Sequence, residues 1–469
     1  MQLLDDLGAA IGAGHVLTGG DCDRYARDWT GYYNGSPLAV VRPGSTDQVA
    51  AVMRLAARHG VPVVPVSGNT GLVGGTMTTG GLMVSTERLN RIRDIRPAAR
   101  IAVVEAGVIL SRLHEAAAEH GLHFPLWFGA RASAMIGGAL STNAGGSNVL
   151  RYGSTRGLCL GVEVVLADGR VLDLMSELHK DNSGYDLKDL FIGAEGTLGI
   201  ITAAVMKLVP APRAHATATL TAPSLAGALA LLNRLQEASG GLVEAFEFMP
   251  ESYLRRLARV RPDLGLPFAE IAPVTILAEL GATAPALTTP GPDGSLPLTS
   301  LLEETLAEMI DEGMVGDAVI AQSEAQRAAM WARREAAAEI TFAVRPFIDT
   351  DIAVPLDRAD DFLHAIHARL PALDAGAATL TVGHLGDGNL HFTVFQTSED
   401  AALKDAIIEA IEDCVADLRG SFSAEHGVGL SKKPSMARRK PAVALDVMRA
   451  IRQALDPQGR MNPGKVLPD

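Results

Sequence analysis

Three glycine-dense loops within the first two hundred residues constrain this chain more than any other feature. Pro65-Val-Ser-Gly68-Asn-Thr-Gly71-Leu-Val-Gly74-Gly75 follows directly on the apolar run Val61 to Val66. Gly137-Gly-Ala-Leu-Ser141-Thr-Asn143-Ala-Gly145-Gly146 and Gly193-Ala-Glu195-Gly196-Thr197-Leu-Gly199-Ile200 complete the set. Glycine reaches positive φ without steric penalty and lets several main-chain N–H groups converge on an anion. Alone, the first loop is better explained by a plain turn after a strand. Three such loops together read as the lining of a pyrophosphate-containing ligand.

Around these loops the pattern alternates between strand and helix. Pro37 to Arg42, Val61 to Val66, Ile101 to Ala106, Gly161 to Ala167 and Gly199 to Leu208 read as strands, and Thr46 to His59 has helical periodicity. Pro210-Ala-Pro212 closes this region, predicting a first domain over 1–212. Strands at Ala214 to Leu220, Gly241 to Phe248, Val274 to Glu279 and Phe347 to Val354 follow. They are interspersed with helices at Ser224 to Ser239, Ser323 to Ala343 and Asp360 to Arg369, and with a hairpin at Thr379 to Phe395. Ser323 and Gln326 suggest a capping box, and Thr288 to Ser300 an exposed loop. This predicts a second α+β domain over 213–433 with an antiparallel sheet, then a helical segment over 434–469. A chain of 469 residues is long enough for more than one core.

Composition narrows the function. A formal charge of −13 repels phosphate polymers and excludes nucleic acid as a partner. Cys22, Cys159 and Cys414 are far apart and form no Cys-x-x-Cys pair, as in a reducing compartment. The N-terminus has no basic stretch followed by a long apolar one, and no uncharged apolar run approaches ~20 residues. These features predict a cytoplasmic protein, with peripheral docking at the inner membrane left open; a homodimer is the default oligomer. G-x-G-x-x-G, Walker A, H-E-x-x-H and G-x-S-x-G are absent, so nicotinamide Rossmann, P-loop and serine-hydrolase chemistry lack their residues. His114 and His120 are six residues apart, too far for a helical zinc pair, and His364 with His367 read as a solvated helix face.

The order and spacing of the three loops resemble the FAD-binding domain (PCMH type) of the vanillyl-alcohol oxidase superfamily, in which FAD lies between two α+β subdomains. The resemblance implies that Pro65, Ser67, Gly68, Asn69, Thr70, Gly71, Gly74 and Thr76 bind the diphosphate. Gly138, Ser141, Asn143 and Gly146, with Glu195, Thr197 and Ile200, would wrap the adenosine and ribityl portions. Several relatives attach the flavin to a histidine in the first loop. This chain has Thr70 near that place and no histidine, implying noncovalent FAD.

A second constellation lies in Thr379-Leu-Thr-Val-Gly-His384-Leu-Gly-Asp387-Gly388-Asn-Leu-His391-Phe-Thr393. Asp-Gly between alternating apolar residues signals a two-residue hairpin, which would set His384 opposite His391 on one face and send Leu385 and Leu390 to the other. Ser423-Ala-Glu425-His426-Gly427-Val-Gly429 adds a carboxylate and a third imidazole. Two His and one Glu with an open position suit catalytic zinc, though Mn or Fe share these ligand types.

Together these motifs resemble the D-2-hydroxyacid dehydrogenase branch of the same superfamily, which includes D-lactate and D-2-hydroxyglutarate dehydrogenases. Matched position by position, the resemblance implies His384, His391 and Glu425 as metal ligands and His426 as the base that takes the substrate hydroxyl proton. It further implies Arg334, in Trp331-Ala-Arg-Arg334-Glu335, on the substrate carboxylate, and Asn462 of Asn-Pro-Gly-Lys near the flavin. Relatives acting on 2-hydroxyglutarate carry a lysine where this chain has Asp349, and a threonine and an asparagine where it has Ala338 and Thr393. Thr393, on the face of His391, would border the substrate. The expectation is therefore a small monocarboxylic D-2-hydroxy acid such as D-lactate, with D-2-hydroxyglutarate or D-malate as the alternative and a flavin-free metallohydrolase as the alternative of another class. The electron acceptor would be an electron-transfer flavoprotein or a quinone.

Overall fold

A computed structural model describes residues 2–469, which divide into two compact units. The first comprises 2–145, 153–210 and 425–469, and the second 146–152 and 211–424. The C-terminal stretch thus joins the first unit from Glu425, nine residues before Pro434 (434 − 425), and a short piece beginning at Gly146 belongs with the second.

In the first unit, β1 (Val16–Leu17), β2 (Ala39–Val41), β3 (Val63–Val66) and β4 (Leu82–Ser85) form a sheet in the order β1-β2-β4-β3. Helix Thr46–His59 connects β2 to β3. Ser45 caps it by accepting from Gln48 N at 3.2 Å, and Gly60 ends it in the left-handed region at φ 67°. Its residues Val49, Ala50, Val52, Met53 and Ala56 recur at helical spacing and are buried with Ala39, Val41, Val63 and Leu82. The strands that follow are β5 (Ile92–Arg96), β6 (Ile101–Glu105), β7 (Leu122–His123), β8 (Cys159–Val165), β9 (Val171–Leu174), β10 (Ile200–Lys207) and β11 (Val209–Pro210). Five of them make an antiparallel sheet in the order β5-β6-β10-β8-β9, and β7 pairs with β11. The three glycine-dense loops follow β3, run through helix Ile136–Thr142, and precede β10.

The second unit is built on a seven-stranded antiparallel sheet of β12 (Ala214–Ala222), β13 (Val243–Pro250), β14 (Val274–Ala282), β15 (Ala318–Ile320), β16 (Ile348–Ala353), β17 (Ala378–His384) and β18 (Asn389–Phe395). Their order is β15-β12-β14-β13-β17-β18-β16. One face carries Ala216, Leu220, Phe246, Phe248, Ile276, Ala278, Leu390 and Phe392, in one apolar cluster with residues of helices Leu225–Ser239, Pro297–Asp311, Ala359–Leu373 and Ala401–Asp417. Because side chains alternate along a strand, the other face receives Glu247, Glu279, Asp349, Asp351, His384, His391 and Thr393.

Three expectations change. The stretch 288–300 is not all loop, since a helix starts at Pro297, whose missing N–H costs nothing in a first turn. The helix expected to run unbroken from Ser323 to Ala343 is two, Glu324–Glu335 and Ala337–Phe342. Ser323 does cap the first, but Gln326 reaches Gln322 N instead of closing the box on Ser323. The three cysteines are buried and free. No helix among the described residues is long and apolar enough to cross a membrane.

Candidate active site

The polar face of the seven-stranded sheet concentrates the chemistry of the second unit. The Asp-Gly signal does not close a two-residue turn. His384 pairs with Asn389, so Leu385 to Gly388 form a four-residue connection, and His391 faces Val382 on one side and Asp351 on the other. A partner shift of two residues keeps side-chain parity, so both imidazoles still share a face. Their ring centroids are 5.8 Å apart at 80°, and one ligand nitrogen of each lies within 4.8 Å of the other. Leu385 and Leu390 enter the apolar cluster as expected.

Glu247, which sequence patterning does not single out, organises this pair. Its side chain is fully buried on β13; Oε1 is 2.8 Å from His384 Nδ1, and Oε2 accepts from Arg334 Nε at 2.7 Å. Burial would raise the pKa of such an acid, but the charges of His384 and then Arg334 hold it at about 2. A carboxylate on Nδ1 fixes the histidine's tautomer and ring orientation, leaving Nε2 as the nitrogen for a cation.

Arg334 is placed by its helix. Arg327, Trp331 and Arg334 are separated by four and three residues, so they share one helical face. Arg327 holds both oxygens of Glu279 at 2.7 Å, and Trp331 Nε1 donates to Glu279 at 2.8 Å, fixing the helix over β14. Tyr253 hydroxyl donates to the Arg333 carbonyl at 2.6 Å and fixes the helix end. Arg334 is consequently buried, and its Nη2 has no partner among the described residues. Arg333 is only half-buried and donates to the carbonyls of Leu264 and Gly265.

Farther along the same face, the Thr393 hydroxyl donates to Asp349 Oδ1 at 2.6 Å. Asp351 accepts from Asn389 Nδ2 at 2.9 Å and from Ala424 N at 3.2 Å. Ala424 ends the second unit. Glu425 and His426 open the C-terminal stretch of the first unit, one and two peptides beyond that anchored amide. Ala338 is exposed on helix Ala337–Phe342.

In the first unit the three loops converge. Gly196 packs on Pro65, where a Cβ would lie 2.9 Å from the ring, and Gly68 lies so close to the 133–134 chain that a Cβ would meet Ser133 O at 2.3 Å. Close approach, not positive φ, is therefore what Gly68 provides. Asn69 (φ 51°) and Gly74 (φ 67°) take the left-handed conformations of loop one. Asn69 accepts from Thr76 hydroxyl at 2.7 Å, Ser67 pairs with Thr86 hydroxyl at 2.8 Å, and Gly138 packs beside Ser67. Among the described residues, no acceptor meets the main-chain N–H groups of Asn69 to Gly75, which include Thr70, although Val73 and Gly74 are buried. No side chain would be crowded at Gly71, which has open space around its Cβ position. Such a row of unsatisfied donors suits the diphosphate of FAD.

Loop two contributes Ser141, whose hydroxyl donates to Gly137 O, and Asn143, in the left-handed region at φ 50°, which accepts from Arg156 N. Gly146 has φ 138° and belongs to the second unit. In loop three, Glu195 N donates to Ser141 O at 2.8 Å, Thr197 hydroxyl returns to Ala194 O, and Ile200 starts β10. Asn462 is buried, donates to Gly75 O at 3.0 Å and Glu195 O at 2.8 Å, and keeps Oδ1 without a partner among the described residues. Lys465, three residues on, is buried with Nζ on Met77 O at 2.7 Å, and burial draws its pKa down to about 8. His114 stacks on Trp127 with centroids 5.4 Å apart, a packing role.

The family of FAD binding domains matches residues 37–175, and the C-terminal domain of FAD linked oxidases matches 211–466. The chain belongs to the FAD-linked oxidases. Within them it falls in the D-2-hydroxyacid dehydrogenase branch and is an FAD-dependent enzyme. It is 38% identical over 442 residues to the mitochondrial D-2-hydroxyglutarate dehydrogenase of Bos taurus, covering 94% of this chain and 79% of that one. It is 36% identical over 452 residues to the D-2-hydroxyglutarate dehydrogenase of Xanthomonas citri pv. viticola, covering 95% and 92%. Among solved structures, p-cresol methylhydroxylase with substrate bound superposes with a TM-score of 0.75 at 15% identity, covering 99% of this chain and 96% of that one. The 4-ethylphenol oxidase of Gulosibacter chungangensis gives 0.71 at 18%, covering 100% and 97%. At these identities the structures attest the fold alone.

Proposed function

We propose that this FAD-linked dehydrogenase oxidises a D-2-hydroxy acid lacking a second carboxylate, such as D-lactate, to the 2-oxo acid. The observation that carries the reading is Arg334, a buried guanidinium whose Nε is held by Glu247 while Nη2 has no partner among the described residues. A planar cation so fixed is a receptor for a carboxylate and sets which face of C2 is presented.

His384 and His391, with Glu425, are proposed to hold a divalent cation, zinc by ligand type. Such a cation would lower the pKa of the substrate hydroxyl as it does that of water. His426 is proposed to take the hydroxyl proton, so that the C2 hydrogen can leave with its electron pair. FAD, bound noncovalently at the three loops, supplies the two-electron acceptor. An electron-transfer flavoprotein or a quinone would serve as the final electron acceptor.

Thr393 and Asp349 support the preference for a monocarboxylate. On the polar face Arg334 is bonded to β13, whereas Thr393 and Asp349 lie on β18 and β16, separated from β13 by the intervening strand β17. A carboxylate on Arg334 would direct the substrate's other end towards an acid, which repels a second anion. D-2-Hydroxyglutarate is the second reading, favoured by the names of the relatives.

Anaerobic bleaching of the bound flavin by a panel of D- and L-2-hydroxy acids, with and without chelator, tests the proposal. D-Lactate should bleach the flavin ahead of D-2-hydroxyglutarate, the L-acids should not, and chelation should abolish the reaction. Faster bleaching by D-2-hydroxyglutarate would favour the second reading; indifference to chelation would remove the metal.

A further inference from the structure

Glu195 lies in loop three, which the family resemblance gives to the cofactor, yet its carboxylate is occupied by the protein itself. Oε1 accepts from Val428 N at 2.7 Å and Oε2 from Gly429 N at 2.8 Å. These are the second and third amides after His426. Gly427 (φ 80°) and Gly429 (φ 49°) flank Val428 in left-handed conformations, so that successive N–H groups turn to one point and form a nest for an anion. Here the anion is a side chain of the same chain.

The fit leaves no room for variation. A Cβ at Gly427 would lie 2.8 Å from Glu195 Oε1, and one at Gly429 would lie 2.3 Å from Val73 O. Glu195 is itself fixed: its φ is 51°, its N–H donates to Ser141 O, and its carbonyl accepts from Asn462. The 427–431 segment is further tied to loop one by Leu430 N on Val73 O at 2.8 Å.

We propose that Glu195 is a positioning residue for the proton-transfer step: by clamping the main chain just after His426 to loop three, it fixes the bearing of the imidazole relative to the cofactor loops. This deepens the proposed function and rests on His426 as the base. A carboxylate is required, because two N–H donors need two acceptor oxygens. Glutamine offers one oxygen and turns an NH2 group against the other amide.

The test compares Glu195→Gln, Glu195→Ala, His426→Ala and the Glu195→Gln/His426→Ala double variant, each as the FAD-loaded protein. In Glu195→Gln the flavin content and visible spectrum should stay at wild-type values. Hydrogen exchange of the peptide spanning 425–430 should quicken. The limiting rate of anaerobic flavin reduction by D-lactate or D-2-hydroxyglutarate should fall by about 10- to 100-fold, the scale of a small misplacement of a reacting group. Half-saturation, set by Arg334, should change less than twofold, and Glu195→Ala should be slower still. On the His426→Ala background Glu195→Gln should add no further loss. Loss of FAD from Glu195→Gln, an unchanged reduction rate, or an additive loss in the double variant would overturn the proposal. Wild-type reduction by His426→Ala would instead overturn the assignment of the base, so the two failures are distinguishable.

Discussion

The carboxylate of Glu247 lies 2.8 Å from Nδ1 of His384. Its second oxygen accepts from Arg334, so one fully buried acid sets both the imidazole proposed to bind the metal and the guanidinium proposed to bind the substrate. Replacing it therefore acts on two functions and on the fold at once.

Glu247→Gln should lower unfolding free energy by about 3 kcal/mol, because Arg334 loses its counter-charge while remaining buried. It should also weaken zinc binding by roughly 10- to 100-fold, through loss of the acid that orients His384. Urea unfolding and titration against a competing chelator measure the two effects. A variant with the wild-type midpoint and zinc affinity would show that Glu247 holds neither partner.

The same acid predicts the low-pH limb of stability. Its folded pKa, about 2, is below the ordinary value of 4.5. The unfolded state consequently takes up a proton first as pH falls, and stability contributed by Glu247 is fully present above about 4.5 and lost towards 2. The difference corresponds to something on the order of 3 kcal/mol. Denaturant unfolding at several pH values between 5 and 2.5 should show a shallower loss in Glu247→Gln than in the wild type; parallel curves would contradict the linkage.

Asn462 gives a prediction for the cofactor. Its Nδ2 ties Gly75 O to Glu195 O, joining loops one and three, while Oδ1 is buried without a partner among the described residues. Asn462→Ala removes both ties and should raise the FAD dissociation constant by about tenfold or more, from loss of one to two net hydrogen bonds. Fluorescence titration of the apoprotein with FAD reads this directly, and an unchanged constant would confine Asn462 to packing.

What the sequence discloses follows from which interactions are local. Helix Thr46–His59 is legible because Ser45, the apolar spacing and Gly60 all act within its own span. The shared face of His384 and His391 is legible for the same reason, since parity is a property of the strand. Their register is not, because Asp-Gly does not specify loop length. Gly388 (φ 80°) is packed against Val354, where a Cβ would lie 2.3 Å from the carbonyl, so the residue that follows β16 helps set the connection. Glu247 sits between two phenylalanines in an ordinary alternating strand. Only the pairing of β13 with β17, more than a hundred residues apart, reveals that its polar side is buried against His384. Glu195 and the 428–429 amides are likewise joined over 233 and 234 residues.

Asp349 offers the sharpest test of substrate choice. Its carboxylate, held by the Thr393 hydroxyl at 2.6 Å, stands on the same sheet face as His391 and two residues before Asp351 in β16. An acid there opposes a distal carboxylate, whereas a lysine would attract one. Asp349→Lys should therefore shift kcat/KM for D-2-hydroxyglutarate relative to D-lactate by about tenfold or more, since reversing a charge beside an anionic group is worth more than ~1.4 kcal/mol. The change should fall mainly on KM, as the reacting C2 centre is untouched. Raising the ionic strength should weaken the gain at this exposed position. A ratio that does not move would mean that Asp349 does not meet the substrate's distal end and would remove the charge basis for preferring a monocarboxylate.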